Sequence, residues 1–166
     1  MNIKKEISVK KPVSEVWEVL GNQFDQAHKW ATGLYHSQGS GMPKINGATC
    51  SIRECKTQQG KIREEIRVFD PENYVLGYEV VEGFPFFVKS GVNNWKLAQI
   101  GSTTLVSMDF NLETKGLVGA VMKPMMKMQM TRIIENVLKD FKYYVETGIP
   151  SPEKEKEMLK LSKKVV

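Results

Sequence analysis

The chain has 166 residues, of which 41% are hydrophobic and 26% charged, and its formal net charge is +5. This composition is typical of a globular domain and excludes a chain that is disordered throughout or built from collagen-like repeats. No apolar run is long enough to span a membrane, so stable membrane insertion is not expected. The basic residues form no block and no aromatic-interleaved stripe, which argues against nucleic-acid binding. The N-terminus lacks the apolar core of a secretory signal, so we expect a cytoplasmic protein.

The N-terminal part is predicted to form a strand followed by two short helices. Apolar residues between Ile3 and Val9 indicate the strand, and Pro12 opens a helix at a position where a missing N–H costs nothing. Gly21 ends this helix, and residues 24–30 are predicted to form the second one. One face of the first helix is predicted to be buried through Val13, Val16, Trp17 and Leu20.

From residue 33 the apolar pattern becomes alternating, and turns rich in Gly, Pro, Asn and Ser separate the alternating runs. Short turns join such strands into an antiparallel meander, and one-sided alternation means that one face of the sheet is covered. The predicted strands are residues 33–41, 47–54, 61–69, 74–81, 88–100 and 103–112.

The alternation also predicts which side chains point inward. In strand 61–69, Glu64 shares a face with apolar neighbours, so its carboxylate should point into the protein. Those neighbours are Ile62, Ile66 and Val68. In strand 47–54, the residues on one face are Ala48, Cys50 and Ile52.

The cysteines and histidines indicate neither a disulfide nor a metal site. Cys50 and Cys55 are separated by an odd number of positions, so a single strand would place them on opposite faces. His28 and His36 have no metal-ligand spacing to carboxylates. The sequence also lacks a phosphate loop, a dinucleotide fingerprint and a nucleophile elbow. We therefore expect neither a metal nor a cofactor.

The C-terminal third is predicted to contain one long helix over residues 117–146. Pro124 marks either a kink or the true start of this helix, and Gly148 ends it. Residues 1–148 are thus predicted to form one domain. Residues 149–166 are predicted to form a charged, helix-prone tail that either frays or docks loosely. The order of elements predicts an α+β fold, in which a curved sheet of about six or seven strands wraps around the long helix.

This order resembles the helix-grip fold of the START-like superfamily. That superfamily includes START lipid-transfer domains, birch-pollen allergens, plant abscisic-acid receptors and bacterial polyketide cyclase/dehydrase-like proteins. Residues 7–20, which read I-x-V-x-x-P-V-S-E-V-W-E-V-L, resemble the first strand and helix of the family. Residues 60–66, followed by Asp70, Tyr78 and Gly83, resemble a run of the bacterial members. The likeness covers residues 3–147.

One departure from the family pattern concerns anion binding. Many bacterial members carry an arginine a few residues after the glycine that matches Gly47, and this chain has Cys50 there. An anion-binding arginine is therefore not carried over to that position.

The resemblance implies a mostly apolar pocket between the sheet and the long helix. We therefore expect the protein to bind a small hydrophobic or amphipathic molecule, such as a lipid, an aromatic compound or a polyketide-like ring. Five methionines lie within residues 122–130, and they either line this pocket or fill the core. The residues predicted to contact the ligand are Trp30, His36, Glu64, Tyr78, Phe86, Asn93, Trp95, Met108, Phe110, Met122 and Met126.

Three of these residues carry specific hypotheses. Glu64 either orients a ligand hydroxyl, acts as acid or base in a cofactor-free cyclase or dehydratase reaction, or pairs structurally with a nearby donor. Asn93 is predicted to present its amide to the pocket. Phe86, in a turn between strands, is predicted to form an apolar rim at the pocket mouth. A further alternative is a partner-binding module with a filled core that uses the basic tail. The oligomeric state is left open.

Overall fold

The computed structural model describes residues 1–163 and has an α+β architecture. The chain begins with β1 (Asn2–Val9), α1 (Val13–Trp17), a π-helical turn (Glu18–Asn22) and a 3-10 helix (Phe24–Lys29). Six strands follow: β2 (Leu34–Ser40), β3 (Ile52–Thr57), β4 (Gly60–Asp70), β5 (Val75–Glu82), β6 (Val88–Ile100) and β7 (Thr103–Thr114). The last helices are α2 (Gly116–Thr147) and α3 (Pro152–Ser162).

The seven strands form one antiparallel sheet in the order β1-β7-β6-β5-β4-β3-β2. The first strand pairs with the last, with Ile3 opposite Phe110, so that β1 and β2 become the two edges. The helix α2 packs against β1 and β7. This arrangement confirms the predicted fold class, a curved antiparallel sheet with a long C-terminal helix.

The helix α2 is buried mainly along its second half. Three of its side chains, Ile134, Leu138 and Phe141, are buried in the core. Pro124 lies inside the helix and is not its start, because the helix begins at Gly116. Gly148 ends it in the left-handed conformation with φ of 77°, which glycine adopts without a steric penalty.

The strand predicted over residues 47–54 is displaced in the structure. Residues 41–51 form an irregular segment, and β3 begins only at Ile52. Arg53 and Cys55 are therefore the buried residues of this strand, whereas Ile52 is half-buried. Cys50 precedes the strand, so strand parity does not separate it from Cys55, and both thiols are buried and free. The parity argument for opposite faces therefore does not apply to these two cysteines.

A second difference lies at the end of β4. The register between β4 and β5 shifts between Ile66 and Val68, which is typical of a β-bulge. As a result Val68 is exposed and Phe69 is buried, although the alternation predicts Val68 among the inward residues. Glu64 precedes the shift and keeps its predicted inward orientation.

The segment after α2 is attached to the body of the domain. Ser151 caps α3 by accepting a hydrogen bond from the amide of Lys154 at 3.2 Å, and it donates to Asp140 of α2 at 2.5 Å. Lys154 is fully buried, and its Nζ donates to the carbonyl of Leu34 at 2.8 Å. The predicted tail therefore contains a docked helix up to Ser162, and its residues 164–166 lie outside the described residues.

Candidate functional site

A buried ion pair occupies the inner face of the sheet at β3 and β4. Arg53 and Glu64 are direct partners in the register of the two strands, and Nε of Arg53 lies 2.6 Å from Oε2 of Glu64. Cys55 donates its thiol hydrogen to the same Oε2 across 3.4 Å. The structural pairing expected as one role of Glu64 is therefore present, and its partner is Arg53.

The guanidinium of Arg53 is enclosed by aromatic and backbone groups. It lies 4.0 Å from the ring centroid of Phe24 and 5.0 Å from that of Tyr78, and its Nη1 donates to the carbonyl of Phe24 at 2.8 Å. Burial disfavours its charge, but the adjacent Glu64 carboxylate more than offsets this effect and raises the pKa of Arg53. For the neighbouring thiol, burial itself raises the pKa of Cys55 to about 12, so that the thiol stays protonated at neutral pH.

Beside the ion pair, three side chains of β5 and β6 continue a line of polar groups. Tyr78 and Asn93 are direct partners in the register, and Nδ2 of Asn93 donates to the Tyr78 hydroxyl at 2.8 Å. Oδ1 of Asn93 and Nε1 of Trp95 have no hydrogen-bond partner among residues 1–163. Buried polar atoms are usually paired, so this free acceptor and free donor are notable.

An aromatic cluster covers the remaining inner surface. The ring of Phe141 on α2 lies 5.1 Å from Trp30 and 5.7 Å from Trp95, in edge-to-face geometry that favours aromatic contact. Met108 and Phe110 of β7 are buried in the same core.

The methionines of α2 divide by exposure. Met122, Met126 and Met130 are half-buried, and the latter two pack against the core. Met125 and Met128 are exposed. Helical spacing alone could not make this division, because it depends on how closely the helix approaches the sheet.

The described part of the chain contains at least two open cavities. The first is an open groove of about 410 Å³ at the edge formed by β2 to β5, with a largely charged lining that includes Glu54, Lys56 and Lys61. The second, of about 340 Å³, is also open and runs along the β5–β6 turn to Lys115, the residue before α2, and its lining includes no residue of α2. Its lining includes Val80, Val88 and Phe86. The second cavity lies at the end of the sheet where α2 begins.

The predicted ligand-contact residues differ in how far they are exposed to solvent. Trp30, Glu64, Tyr78, Asn93, Trp95, Met108 and Phe110 are buried, and Met122 and Met126 are half-buried. Phe86 is 76% exposed and is one of the residues that line the second cavity. His36 is exposed rather than inward-facing, and its Nε2 lies 3.3 Å from Oε1 of Gln38. The pairing of β2 with β3 shifts between Leu34 and His36, so the two residues do not share a face as their spacing suggests.

Arg53 is the site residue that sequence reasoning missed. A signal for it is present, since Arg53 and Cys55 alternate with the charged Glu54 and Lys56, but the predicted strand starts too early. Within residues 1–163, His, Cys, Asp and Glu side chains form no group of three that could hold a metal ion. No helix in that part of the chain is both long and apolar enough to cross a membrane.

The comparisons with known proteins agree with the observed fold. A family model described as polyketide cyclase/dehydrase and lipid transport matches residues 1–146. A START superfamily protein from Mycobacterium smegmatis superposes with a TM-score of 0.71 at 15% identity, covering 87% of this chain and 97% of that one. A protein from Thermus thermophilus gives 0.70 at 15% identity, covering 87% and 97% of the two chains.

Ara h 8.0201 gives a TM-score of 0.68 at 14% identity, again covering 87% of this chain and 97% of that one. At these identities the structural matches show a common helix-grip fold. No curated protein matches the chain.

Proposed function

The chain belongs to the polyketide cyclase/dehydrase and lipid transport family, and from this premise we propose that it binds a small hydrophobic or amphipathic molecule between the sheet and the first half of α2. Family and fold together support a role in hydrophobic ligand binding. The candidate molecules are a lipid, an aromatic compound or a polyketide-like ring.

The observation that carries this proposal is a change in burial along α2. Phe141, Leu138 and Ile134 are buried, whereas Met130, Met126 and Met122, which continue the helix toward its start, are only half-buried. Toward the start of α2 the cover over its inner side therefore thins. Methionine side chains adapt to varied apolar shapes, so they suit contact with a ligand at this place.

The polar line on β5 and β6 supports recognition of a neutral polar group. The charged pair on this face, Arg53 and Glu64, is mutually neutralised, so its guanidinium is not available to an incoming carboxylate. The unpaired Oδ1 of Asn93 and Nε1 of Trp95 would suit a hydroxyl, which can donate to one and accept from the other. In this proposal Glu64 has a positioning role, because its Oε2 already accepts bonds from Arg53 and Cys55.

A pair of tryptophan substitutions tests the location of the ligand. Met126→Trp fills the space beneath α2, whereas Met128→Trp places the same side chain on its exposed face. With the neutral fluorophore N-phenylnaphthylamine as probe, we expect Met126→Trp to weaken binding at least about tenfold and Met128→Trp by less than about twofold.

Circular dichroism and thermal unfolding establish that both variants remain folded. Equal binding by the two folded variants, or no fluorescence enhancement with the wild-type protein, contradicts the proposal.

A further inference from the structure

A row of basic side chains crosses the outer face of the sheet. Lys56 of β3 and Lys61 of β4 are direct partners in the antiparallel register, and His36 of β2 is the partner of Lys56 on its other side. All three residues are exposed, whereas Cys55, the neighbour of Lys56 in β3, is buried on the inner face, where it contacts Glu64. The row therefore lies on the face of the sheet opposite to the buried ion pair.

The two lysines of this row have no ion-pair partner in the described part of the chain. Like charges directly opposite one another in an antiparallel pair destabilise it, since partner Cα atoms are only about 4.5–5.5 Å apart. Neither Lys56 nor Lys61 forms an ion pair with another residue of the range 1–163. Their ammonium groups can therefore reach a common anion, and such an anion would relieve their repulsion.

A second row of polar side chains runs beside the first. Successive register partners from β2 to β5 are Gln38, Glu54, Arg63 and Glu82. The two rows line the open cavity of about 410 Å³, which we call the outer groove. Nη1 of Arg63 lies 3.1 Å from Oε1 of Glu82, so the charge of this arginine is compensated within the protein. Glu54 forms no ion pair among residues 1–163 and accepts one long hydrogen bond of 3.4 Å from Oγ of Ser40, so its carboxylate retains acceptor capacity.

The basic side chains of the groove suit a phosphate better than a carboxylate. A planar carboxylate is best bound by the fork of an arginine, and Arg63, which lines the groove, is already paired with Glu82. Lysine instead presents a compact point charge with three donors and commonly binds phosphate. Lys56 and Lys61, with the His36 imidazole beside them, offer a tetrahedral phosphate several donors at once.

We propose that the outer groove binds a phosphate ester that carries hydroxyl groups, such as a sugar phosphate. In this arrangement Lys56 and Lys61 hold the phosphate. The hydroxyls donate to Glu54 and bond with the amide of Gln38, which can both donate and accept. An acidic peptide fits less well, because Glu54 and Glu82 would repel its carboxylates. The site goes beyond hydrophobic ligand binding, since it lies on the opposite face of the sheet.

A titration followed by amide chemical shifts tests the groove, with ribose 5-phosphate as the probe. An open site binds weakly, so we expect a Kd of about 0.1–1 mM, with the largest shifts in β3 and β4. Ribose without phosphate should cause no saturable shift. Inorganic phosphate should bind at the same amides but more weakly, because it makes no contact with Glu54 through hydroxyls.

Charge reversal at one lysine separates binding from folding. Lys61→Glu should weaken the binding of ribose 5-phosphate at least about tenfold, because it places a negative charge beside the phosphate. Its thermal midpoint should not fall, since an opposite-charge pair with Lys56 replaces two like charges. The matched control, Lys156→Glu, changes the net charge equally on the exposed side of α3 and should change the Kd by less than about twofold.

A third variant tests the hydroxyl contacts. Glu54→Gln should lower the preference for ribose 5-phosphate over inorganic phosphate, because a neutral amide is a weaker acceptor than a carboxylate. An unchanged preference contradicts the assignment of Glu54 to the hydroxyls. The proposal as a whole is overturned if the wild-type protein does not bind ribose 5-phosphate, or if Lys61→Glu and Lys156→Glu lose binding equally. Tighter binding of hexaglutamate than of ribose 5-phosphate at the same amides also overturns it, in favour of an acidic peptide.

Discussion

At the scale of single residues, the Arg53–Glu64 pair is an ion pair buried inside the protein. Both side chains are less than a tenth exposed, and their contact of 2.6 Å is reinforced by the Phe24 carbonyl and the Cys55 thiol. A buried pair gains little over a well-packed apolar pair, because desolvation offsets the attraction. Removing one partner is different, since it leaves an uncompensated charge inside the protein.

A double-mutant cycle tests this coupling. Arg53→Met and Glu64→Leu should each lower the free energy of unfolding by about 3–5 kcal/mol, because each leaves the other charge buried alone. The double variant should be more stable than either single variant. Urea unfolding followed by tryptophan fluorescence measures all four proteins. Losses that simply add would show that the two side chains do not act as a pair.

At the scale of elements, α3 is part of the domain body. Lys154 is buried, and its Nζ reaches both the Leu34 carbonyl at 2.8 Å and Oε2 of Glu157 at 2.6 Å. Oε1 of Glu157 accepts from the amide of Gly33 at 2.8 Å. This helix therefore holds the segment that leads into β2, a contact between parts of the chain that are far apart in sequence.

The attachment of α3 predicts a contrast between two neighbouring lysines. Lys154→Met should lower the free energy of unfolding by about 2–3 kcal/mol, because the Leu34 carbonyl and Glu157 lose a buried charged donor. Lys156→Met, two positions along the same helix but exposed, should change it by less than about 0.5 kcal/mol. Chemical denaturation compares the two, and similar losses would mean that α3 is not anchored through Lys154.

At the scale of the whole molecule, stability should depend on pH through the contact between the 3-10 helix and β2. Burial, followed by repulsion from His36, Lys154 and Lys29, lowers the pKa of His28 from 6.5, while Asp25 acts in the opposite direction. The unfolded chain then binds a proton more readily than the folded one. Stability contributed by neutral His28 is fully present above pH 6.5 and is lost as the pH falls through the lower pKa of the folded state.

Thermal unfolding over a range of pH measures this effect. Between about pH 7.5 and pH 5.5 the wild-type midpoint should fall, and His28→Asn should flatten that dependence, because asparagine cannot take up the proton. Carboxylates titrate mainly below this range, which isolates the histidine contribution. An unchanged slope in His28→Asn would assign the pH dependence to other groups.

Local patterns in the sequence determined the order of elements, the antiparallel meander, the long helix and the inward direction of Glu64. Alternation, helical spacing and Gly or Pro turns act over a few residues, and this is why they can be recognised without a structure. The late start of β3, the bulges at β2 and β4 and the docking of α3 arise from pairing between distant segments. Only the tertiary structure could therefore bury Arg53 against Glu64, turn His36 outward, and decide which methionines of α2 face the sheet and which face solvent.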